Sequence, residues 1–361
     1  MNQTDRILFV SFRHQYDHFL KFHIDFLRNR NVCVEFLILD DVEYPKFYTN
    51  KIHRRSLKNI FQEIIIVNKI LNSFKPNKII TITPKIGFVF SLTRLITLKL
   101  NYKHFHWFTG QVWSNKFGIP FWAPKIADLV TFLLTTKILC DSISQKNFLI
   151  KEGFLLKKIN VIGYGSICGV DDILFNLQHP DFAKKIITIG IVGRISVDKG
   201  SFWLLEFLKS NKFIFDTFKF VFIGPLDDNP QNNFLFNESI KYFENNLEYL
   251  NELSNLNSIY SSFDILLLPS YREGFSNVII EAQAAAKPVI SRDIYGTKSS
   301  LLDGETGFFF QNEEELLAIF NKIYYNRNLF IKMSFSARKY AINNFKREEL
   351  LKKITDFYLN N

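Results

Sequence analysis

The sequence predicts an α/β protein with two domains, each built around a parallel β-sheet. The chain has 361 residues, which exceeds one ordinary domain and suits two of about 150–180 residues. Apolar residues make up 47% of the chain, enough to form two cores, so wholesale disorder is excluded. Short apolar runs alternate with longer mixed segments, which is the rhythm of strand–helix–strand units with a parallel sheet.

The first series of predicted elements lies in residues 1–178. The predicted strands are residues 6–11, 33–39, 78–82, 102–108, 137–141 and 159–162. The predicted helices are residues 16–28, 57–74, 88–100 and 145–152. Strands end at turn-forming residues such as Thr83-Pro84 and Thr109-Gly110. Ligands of open α/β sheets bind at the carboxyl ends of the strands, so these ends are candidate binding positions.

The pattern breaks at residues 176–185, where Gln178-His179-Pro180-Asp181 predicts a linker. The second series has predicted strands at residues 186–192, 218–223, 265–268 and 288–290, a helix that begins at Phe202, and a final amphipathic helix at 347–358. We therefore expect an N-terminal domain at residues 1–178, a C-terminal domain at 179–345 and a C-terminal helix at 346–361.

The net charge of +10 is unevenly distributed along the chain. Residues 1–178 contain 24 Lys and Arg against 13 Asp and Glu, whereas residues 179–361 contain 21 against 22. The asymmetry predicts an anionic partner for the first half: a membrane surface, a phosphorylated acceptor or a nucleic acid. A solvated basic surface without a partner is the alternative.

The cysteines and the N-terminus point to a reducing compartment. Cys33, Cys140 and Cys168 show no paired or metal-ligand spacing, so we expect neither disulfides nor structural zinc. The first residues predict a buried strand and not a signal peptide. Charged residues interrupt every long apolar run, so no membrane span is expected. We expect a cytoplasmic protein.

The strongest candidate segment follows the predicted strand at residues 265–268. It reads PSYREGFSNVIIEAQAAAKP, with Glu273 and Glu281 separated by seven residues. Gly274 allows close approach of the backbone to a ligand, and Ser276 or Asn277 can cap a helix at residues 279–286 that Pro288 ends. The N-terminus of such a helix favours a diphosphate.

The second candidate segment, IGIVGRISVDKG, contains Gly193-Arg194 at the end of a buried strand and Lys199-Gly200 at the entry to a helix. Arginine binds a diphosphate bidentately and lysine binds it as a point charge. The two cations can stabilise a leaving nucleoside diphosphate without a metal ion. Either segment alone is weak evidence, because a turn with a surface charge gives the same pattern.

Taken together, Gly193-Arg194-x4-Lys199-Gly200 and Glu273-x7-Glu281 resemble the retaining glycosyltransferases of the GT-B fold, in the large family-4 group. The segment LLDGETGFFF at residues 301–310 resembles that family's aspartate–glycine turn. The resemblance implies two Rossmann-like domains that face each other across a cleft, with a C-terminal helix able to return to the N-terminal domain. It also implies a nucleotide-sugar substrate, most often a UDP-sugar, and no metal or other cofactor.

The resemblance assigns the site residues as follows. Arg194 and Lys199 hold the donor diphosphate, Glu281 binds the ribose and Glu273 contacts the donor sugar. Donor binding also involves the backbone from Gly274 to Asn277. The residues assigned to donor binding are Arg194, Lys199, Glu273, Gly274, Phe275, Ser276, Asn277 and Glu281, of which Glu273, Arg194 and Lys199 are the catalytic candidates.

Weaker similarity in the first half points to a bacterial subgroup that builds O-antigen, lipopolysaccharide or capsule. Its acceptor is commonly a sugar linked to polyprenyl diphosphate, and the enzyme would then be peripheral at the inner face of the plasma membrane. The matching segments are Thr83-Pro84-Lys85, Thr109-Gly110-Gln111-Val112-Trp113 and residues 163–171. The acceptor candidates are Thr83, Lys85, Thr109 and Gly110. Lys85 alone also fits a solvated loop lysine.

One departure from the family concerns a histidine that many members carry where this chain has Thr109-Gly110. His104 and His106 lie within the preceding strand and are expected to be packed there, so no catalytic histidine is assigned. The histidines also show no metal-binding spacing. A sugar-nucleotide epimerase of the same fold and a non-catalytic sugar-nucleotide-binding protein remain alternatives, while a dinucleotide oxidoreductase and a nucleic-acid-binding module are disfavoured.

Overall fold

The computed structural model describes residues 5–38, 53–54, 60–96, 101–114, 116, 118–172, 185–251 and 255–361. The chain forms two compact units. One consists of Met1–Cys168 together with Glu348–Asn361, and the other consists of Gly169–Arg347. The predicted linker at residues 176–185 and the predicted boundary at residue 178 fall almost entirely outside the described residues, so that boundary stays a prediction.

In the described part of the first unit, parallel strands form one sheet in the order β3-β2-β1-β4-β5-β6-β7. These strands are β1 (Arg6–Ser11), β2 (Cys33–Ile38), β3 (His53–Arg54), β4 (Lys78–Ile82), β5 (Lys103–Phe108), β6 (Lys137–Cys140) and β7 (Ile159–Val161). Its helices are α1 (Arg13–Gln15), α2 (Lys21–Arg28), α3 (Ile60–Phe74), α4 (Pro84–Ile96), α5 (Ile119–Leu134) and α6 (Ile143–Lys151), with a π-helical turn at Tyr16–Leu20.

In the described part of the second unit, a parallel sheet has the order β10-β9-β8-β11-β12-β13. Its strands are β8 (Ile187–Val192), β9 (Phe218–Ile223), β10 (Leu247–Leu250), β11 (Ile265–Leu268), β12 (Val289–Arg292) and β13 (Gly307–Phe310). Its helices are α7 (Ser201–Ser210), α8 (Pro230–Phe243), α9 (Leu256–Ser261), α10 (Asn277–Ala284), α11 (Glu313–Tyr325) and α12 (Arg327–Phe345), and α13 (Arg347–Asn360) ends the chain.

The last helix, α13, packs almost entirely in the first unit. Leu350, Ile354 and Tyr358 of α13 join the core of that unit. The indole Nε1 of Trp107 donates a hydrogen bond of 2.7 Å to the hydroxyl of Tyr358. This hydrogen bond ties the C-terminal helix to β5, which lies next to the central strand β4 of the first sheet.

The α/β fold with two Rossmann-like parallel sheets is confirmed, and most predicted strands are right to within two residues. Three helices begin earlier than predicted, and the one predicted at residues 145–152 begins at Ile143. The helix predicted from residue 88 begins at Pro84, where proline suits the first helical turn. The helix predicted at residues 279–286 is Asn277–Ala284, and Ala286, with φ of 59°, ends it before Pro288. Among the described residues, no helix combines the length and the apolar composition needed to cross a bilayer.

Candidate active site

The loop between β8 and α7 carries Arg194 and Lys199. Gly193 closes β8 with φ of 139°, and Gly200 precedes α7 with φ of 74°. A side chain at Gly200 would place its Cβ 2.2 Å from the carbonyl oxygen of Pro269. Only glycine fits there, because both the backbone conformation and the contact exclude a Cβ. The loop is thereby held against the carboxyl end of β11.

An ion pair joins the two predicted motifs. Lys199 Nζ lies 2.7 Å from Glu273 Oε1, and the Glu273 side chain is only 12% exposed. Asp198 lies beside this pair, with Arg194 at 3.8 Å and Arg272 at 3.4 Å from its Oδ2. The structure therefore brings Arg194, Lys199 and Glu273 into one cluster of charges at the carboxyl ends of β8 and β11.

Asp198 and Arg272 belong to this cluster, although sequence reasoning did not select them. Burial pushes the pKa of Asp198 up, but the Ser196 hydrogen bond and the nearby Arg194 and Arg272 outweigh burial and hold the pKa below its usual value. Asp198 is therefore a carboxylate that partly neutralises the surrounding cations. The sequence feature that could have identified Asp198 is its position between Arg194 and Lys199 in the motif.

The backbone from Glu273 to Ser276 is fixed by a neighbouring turn. A Cβ on Gly296 would lie 2.2 Å from the Glu273 carbonyl oxygen, and Ser276 N–H donates to the Gly296 carbonyl at 3.3 Å. The Phe275 side chain packs against Phe345 in the core, with ring centroids 5.6 Å apart. Of the predicted donor residues, Phe275 can thus offer only its backbone to a ligand.

Glu281 lies in the second turn of α10, opposite the hydroxyl of Tyr260. Tyr260 donates a hydrogen bond of 2.6 Å to Glu281 Oε2. Burial raises the pKa of Glu281, and the Tyr260 hydrogen bond and the charge of Arg347 oppose that rise. Of the two predicted caps, Ser276 and Asn277, the structure places Ser276 at the N-cap position, but its side chain accepts no capping hydrogen bond. Asn277 begins α10, and Gly274 lies in the turn before it.

Arg292 supports the same edge of the second sheet. Its Nε donates to the Pro269 carbonyl at 3.1 Å and its Nη1 donates to the Gln311 carbonyl at 3.2 Å. The guanidinium stacks between aromatic rings, with its Cζ 4.3 Å from the Trp203 centroid and 4.4 Å from that of Tyr271. Arg292 thus fixes Pro269 directly beside Gly200. Arg292 was not among the residues predicted from sequence patterns.

The predicted acceptor residues lie at the carboxyl ends of β4 and β5, which are neighbouring strands. Thr83 has φ of 77°, an unfavourable conformation for a β-branched residue, and its hydroxyl oxygen is buried without a hydrogen bond among the described residues. Lys85 is exposed in the first turn of α4. Thr109 and Gly110 directly follow β5, with φ of 101° at Gly110.

His104 and His106 are packed strand residues. Both rings lie 2.8 Å from the hydroxyl of Thr81. Burial lowers the pKa of His106 to about 3 and that of His104 well below its usual value, so both are neutral at physiological pH. Across the described part of the chain, no three His, Cys, Asp or Glu side chains are placed to hold a metal ion.

The cluster in the second unit combines groups suited to a nucleoside diphosphate. Arg194 is about half exposed and can bind phosphate oxygens, and Lys199 adds a second cation. The start of α10 contributes the positive end of a helix dipole, and Glu281 on the same helix carries a carboxylate, a group that can accept hydrogen bonds from sugar hydroxyls. A separate cavity of about 900 Å³ between α7 and α8 contains none of these four groups.

Residues 174–343 match the family model described as Glycosyl transferases group 1. This match spans 170 of the 361 residues and lies within the second unit. The chain is 25% identical over 355 residues to the capsular polysaccharide biosynthesis glycosyltransferase CapM of Staphylococcus aureus, covering 93% of this chain and 92% of CapM.

Solved structures show the same fold. HepE of Anabaena, in complex with UDP, is 17% identical with a TM-score of 0.79, over 99% of this chain and all of HepE. The lipopolysaccharide outer core galactosyltransferase WaaB is also 17% identical, with a TM-score of 0.75 over 98% of this chain and 99% of WaaB. The chain therefore has the GT-B fold.

Proposed function

We propose that this glycosyltransferase transfers a hexose or N-acetylhexosamine from a UDP-sugar to a glycan acceptor. The observation that carries the proposal is the charge cluster in which Arg194, Lys199 and Glu273 meet beside the start of α10. HepE binds UDP in its solved complex, which supports UDP as the nucleotide.

In this proposal Arg194 and Lys199 bind the donor diphosphate, and the backbone from Gly274 to Asn277 lies beside it. The two cations stabilise the charge that develops as the nucleoside diphosphate leaves, which is the step where electrostatic stabilisation acts. Lys199 then exchanges part of its contact with Glu273 for a phosphate oxygen, and Glu273 contacts the donor sugar. Glu281 binds the ribose.

The proposed acceptor is a growing bacterial surface polysaccharide, such as O-antigen or capsule, linked to polyprenyl diphosphate. Similarity to CapM over 93% of the chain supports a polysaccharide as the acceptor. The net positive charge of residues 1–178 supports an acceptor that is anionic. Thr83, Lys85, Thr109 and Gly110 are the proposed acceptor contacts. The protein would work peripherally at the inner face of the plasma membrane.

We also propose that the anomeric configuration is retained and that no metal takes part. The family-4 resemblance supports retention, and Arg194 and Lys199 supply the cationic charge that a metal would otherwise provide. Activity in excess EDTA should therefore equal activity without EDTA. Loss of activity in EDTA that added Mg²⁺ or Mn²⁺ restores would contradict metal independence.

A panel of nucleotide sugars tests the function. One UDP-sugar should bind saturably, undergo slow hydrolysis, and donate its sugar to a polyprenyl-diphosphate-linked glycan with its anomeric configuration unchanged. Conversion of the sugar nucleotide to an epimer without an acceptor would indicate an epimerase instead. Saturable binding without hydrolysis or transfer to any glycan would indicate a non-catalytic binding protein.

A further inference from the structure

The face of α5 that is turned to solvent is entirely apolar. The exposed residues of this helix are Ile119, Pro120, Trp122, Ala123, Ile126 and Leu133. Ile119 is 82% exposed and Trp122 is 57% exposed. A helix on a protein surface ordinarily places polar residues on its solvent side. An apolar exposed face therefore indicates contact with an apolar partner.

The charged residues of α5 lie on its packed side. Lys125 forms an ion pair of 2.6 Å with Glu152 and its side chain is only 12% exposed. Asp128 is buried and accepts a hydrogen bond of 2.8 Å from Trp113 Nε1. No carboxylate therefore stands on the exposed face to oppose contact with an anionic surface.

The surrounding sequence is strongly basic. Residues 44–127 contain 14 Lys and Arg and a single acidic residue, Glu63. Within this stretch Lys69, Lys85 and Lys116 are exposed. Helix α4 packs beside α5, and Arg94 of α4 donates to the Leu134 carbonyl at 3.1 Å. An exposed apolar helix face within a stretch of sequence that carries this excess of positive charge is complementary to a bilayer that contains anionic lipids.

We propose that α5 lies in the interface of an anionic membrane, with Trp122 and the isoleucines on either side of it inserted among the lipid chains. The helix has 16 residues, which at 1.5 Å per residue is about 24 Å, too short for a hydrocarbon core of about 30 Å. It therefore lies along the surface. This inference names the surface that makes the peripheral attachment proposed above and is independent of the donor chemistry.

The same helix holds the predicted acceptor loop. Asp128 on its buried side bonds Trp113, and Trp113 belongs to the segment that contains Thr109 and Gly110. Seating α5 in the interface places this loop beside the lipid headgroups. A diphosphate attached to a membrane lipid lies at the depth of the headgroups, so it would contact the protein at this loop.

Tryptophan fluorescence provides a direct test, because Trp122 is the exposed tryptophan. Trp107 and Trp113 are fully buried and Trp203 is partly buried. With vesicles of phosphatidylglycerol and phosphatidylcholine carrying brominated chains, the full-length protein should show quenched emission. Trp122→Phe should remove the quenching without preventing sedimentation with the vesicles.

A double variant tests the energetics of the contact. Ile119→Gln with Ile126→Gln should weaken partitioning into these vesicles by about tenfold or more, because two exposed apolar side chains no longer enter the bilayer. The matched control is Phe213→Gln with Phe234→Gln, which changes exposed apolar residues of the second unit and should bind as the wild type does. UDP affinity should be equal in all variants.

Each of the following outcomes would overturn the inference. Vesicle binding without quenching of Trp122, or with full affinity in the Ile119/Ile126 variant, would show that attachment uses another surface. No vesicle binding at low salt would remove both this inference and the peripheral attachment, while leaving the donor site untouched. Self-association that the Ile119/Ile126 variant abolishes would make the face a contact between two copies of this chain.

Discussion

Lys199 and Glu273 form an ion pair, although 74 residues separate them in the sequence. The pair connects the loop after β8 with the loop after β11, and these loops carry the two motifs of the sequence. A glycine at position 200 and the carbonyl of Pro269 lie in contact directly beside it. The backbone of the second unit therefore holds this cluster of charges in place. Substitution of Lys199 tests the role of the cluster.

Replacement of Lys199 by alanine should lower kcat/KM for the donor by about tenfold or more, since a charge-assisted contact contributes roughly 1.5–3 kcal/mol. Arg194→Ala should have a similar effect. Lys209→Ala is the matched control, because Lys209 forms a surface ion pair with Glu206 on α7. Wild-type efficiency of both Lys199→Ala and Arg194→Ala at low donor concentration would contradict the assignment of the diphosphate site.

The two glutamates should respond differently to substitution. Glu281→Gln should weaken binding of free UDP, measured by calorimetry, whereas Glu273→Gln should chiefly lower the rate of transfer. Tyr260→Phe removes the hydrogen bond that positions Glu281 and should weaken UDP binding severalfold, as loss of a hydrogen bond of about 1 kcal/mol implies. Tyr249→Phe, whose hydroxyl bonds Asn251 at 3.1 Å, should bind UDP normally. UDP affinity unchanged by Glu281→Gln would refute the ribose role.

Gly296→Ala should reduce donor kcat/KM, because a Cβ at this position displaces the backbone that carries Glu273. The matched control is Gly304→Ala, where no atom lies within 4 Å of the added Cβ but the backbone has φ of 74°. Both variants should be less stable than the wild type. Only Gly296→Ala should also show a lower kcat/KM for the donor, measured on the folded fraction of the protein. Equal kinetics in the two variants would show that the Gly296 contact does not position Glu273.

Asp128 should make the stability of the first unit depend on pH. Burial raises its pKa from 3.8 to about 7, and the hydrogen bond from Trp113 opposes this rise. The folded state then binds a proton that the unfolded state releases between about pH 4 and 7, so the contribution of Asp128 becomes less favourable as pH rises through that range.

Asp128→Asn removes this titration and keeps an oxygen acceptor for Trp113. The stability of the variant relative to the wild type should increase by about 2.5 kcal/mol between pH 5 and pH 8, since nearly two units of the pKa shift are expressed over this range and each unit corresponds to about 1.4 kcal/mol. Urea unfolding followed by tryptophan fluorescence measures the difference, and Asp216→Asn on the surface of the second unit is the control. A difference that stays constant with pH would contradict a raised pKa at Asp128.

The strands were predictable from sequence because buried parallel strands are short, continuous apolar runs bounded by turn residues. Residues 6–11, 78–82, 218–223 and 265–268 were predicted with their observed bounds. Helix α5 was missed because Pro120 and Pro124 look like helix breakers, yet Pro120 occupies the first turn, where proline is tolerated. The strand at Gly307–Phe310 was read only as a turn motif.

The motifs were predictable because close spacing along the chain places Arg194 with Lys199 and Glu273 with Glu281. The residues that contact these motifs in the folded protein were not predictable. Tyr260 precedes Glu281 by 21 residues and Gly296 follows Glu273 by 23, so only folding reveals the contacts. Arg292 gave no signal because its partners are backbone carbonyls and aromatic rings, which leave no pattern of charge in the sequence.

The most direct measurement of the donor site is hydrogen exchange of the backbone amides with and without UDP. Slowed exchange on UDP binding should be confined to residues 193–200 and 273–281 and the segments that contact them, and Glu281→Gln should shift the response to higher UDP concentration. Saturable UDP binding that protects the cavity between α7 and α8 while leaving both motifs unchanged would contradict the account, as would no UDP binding at all.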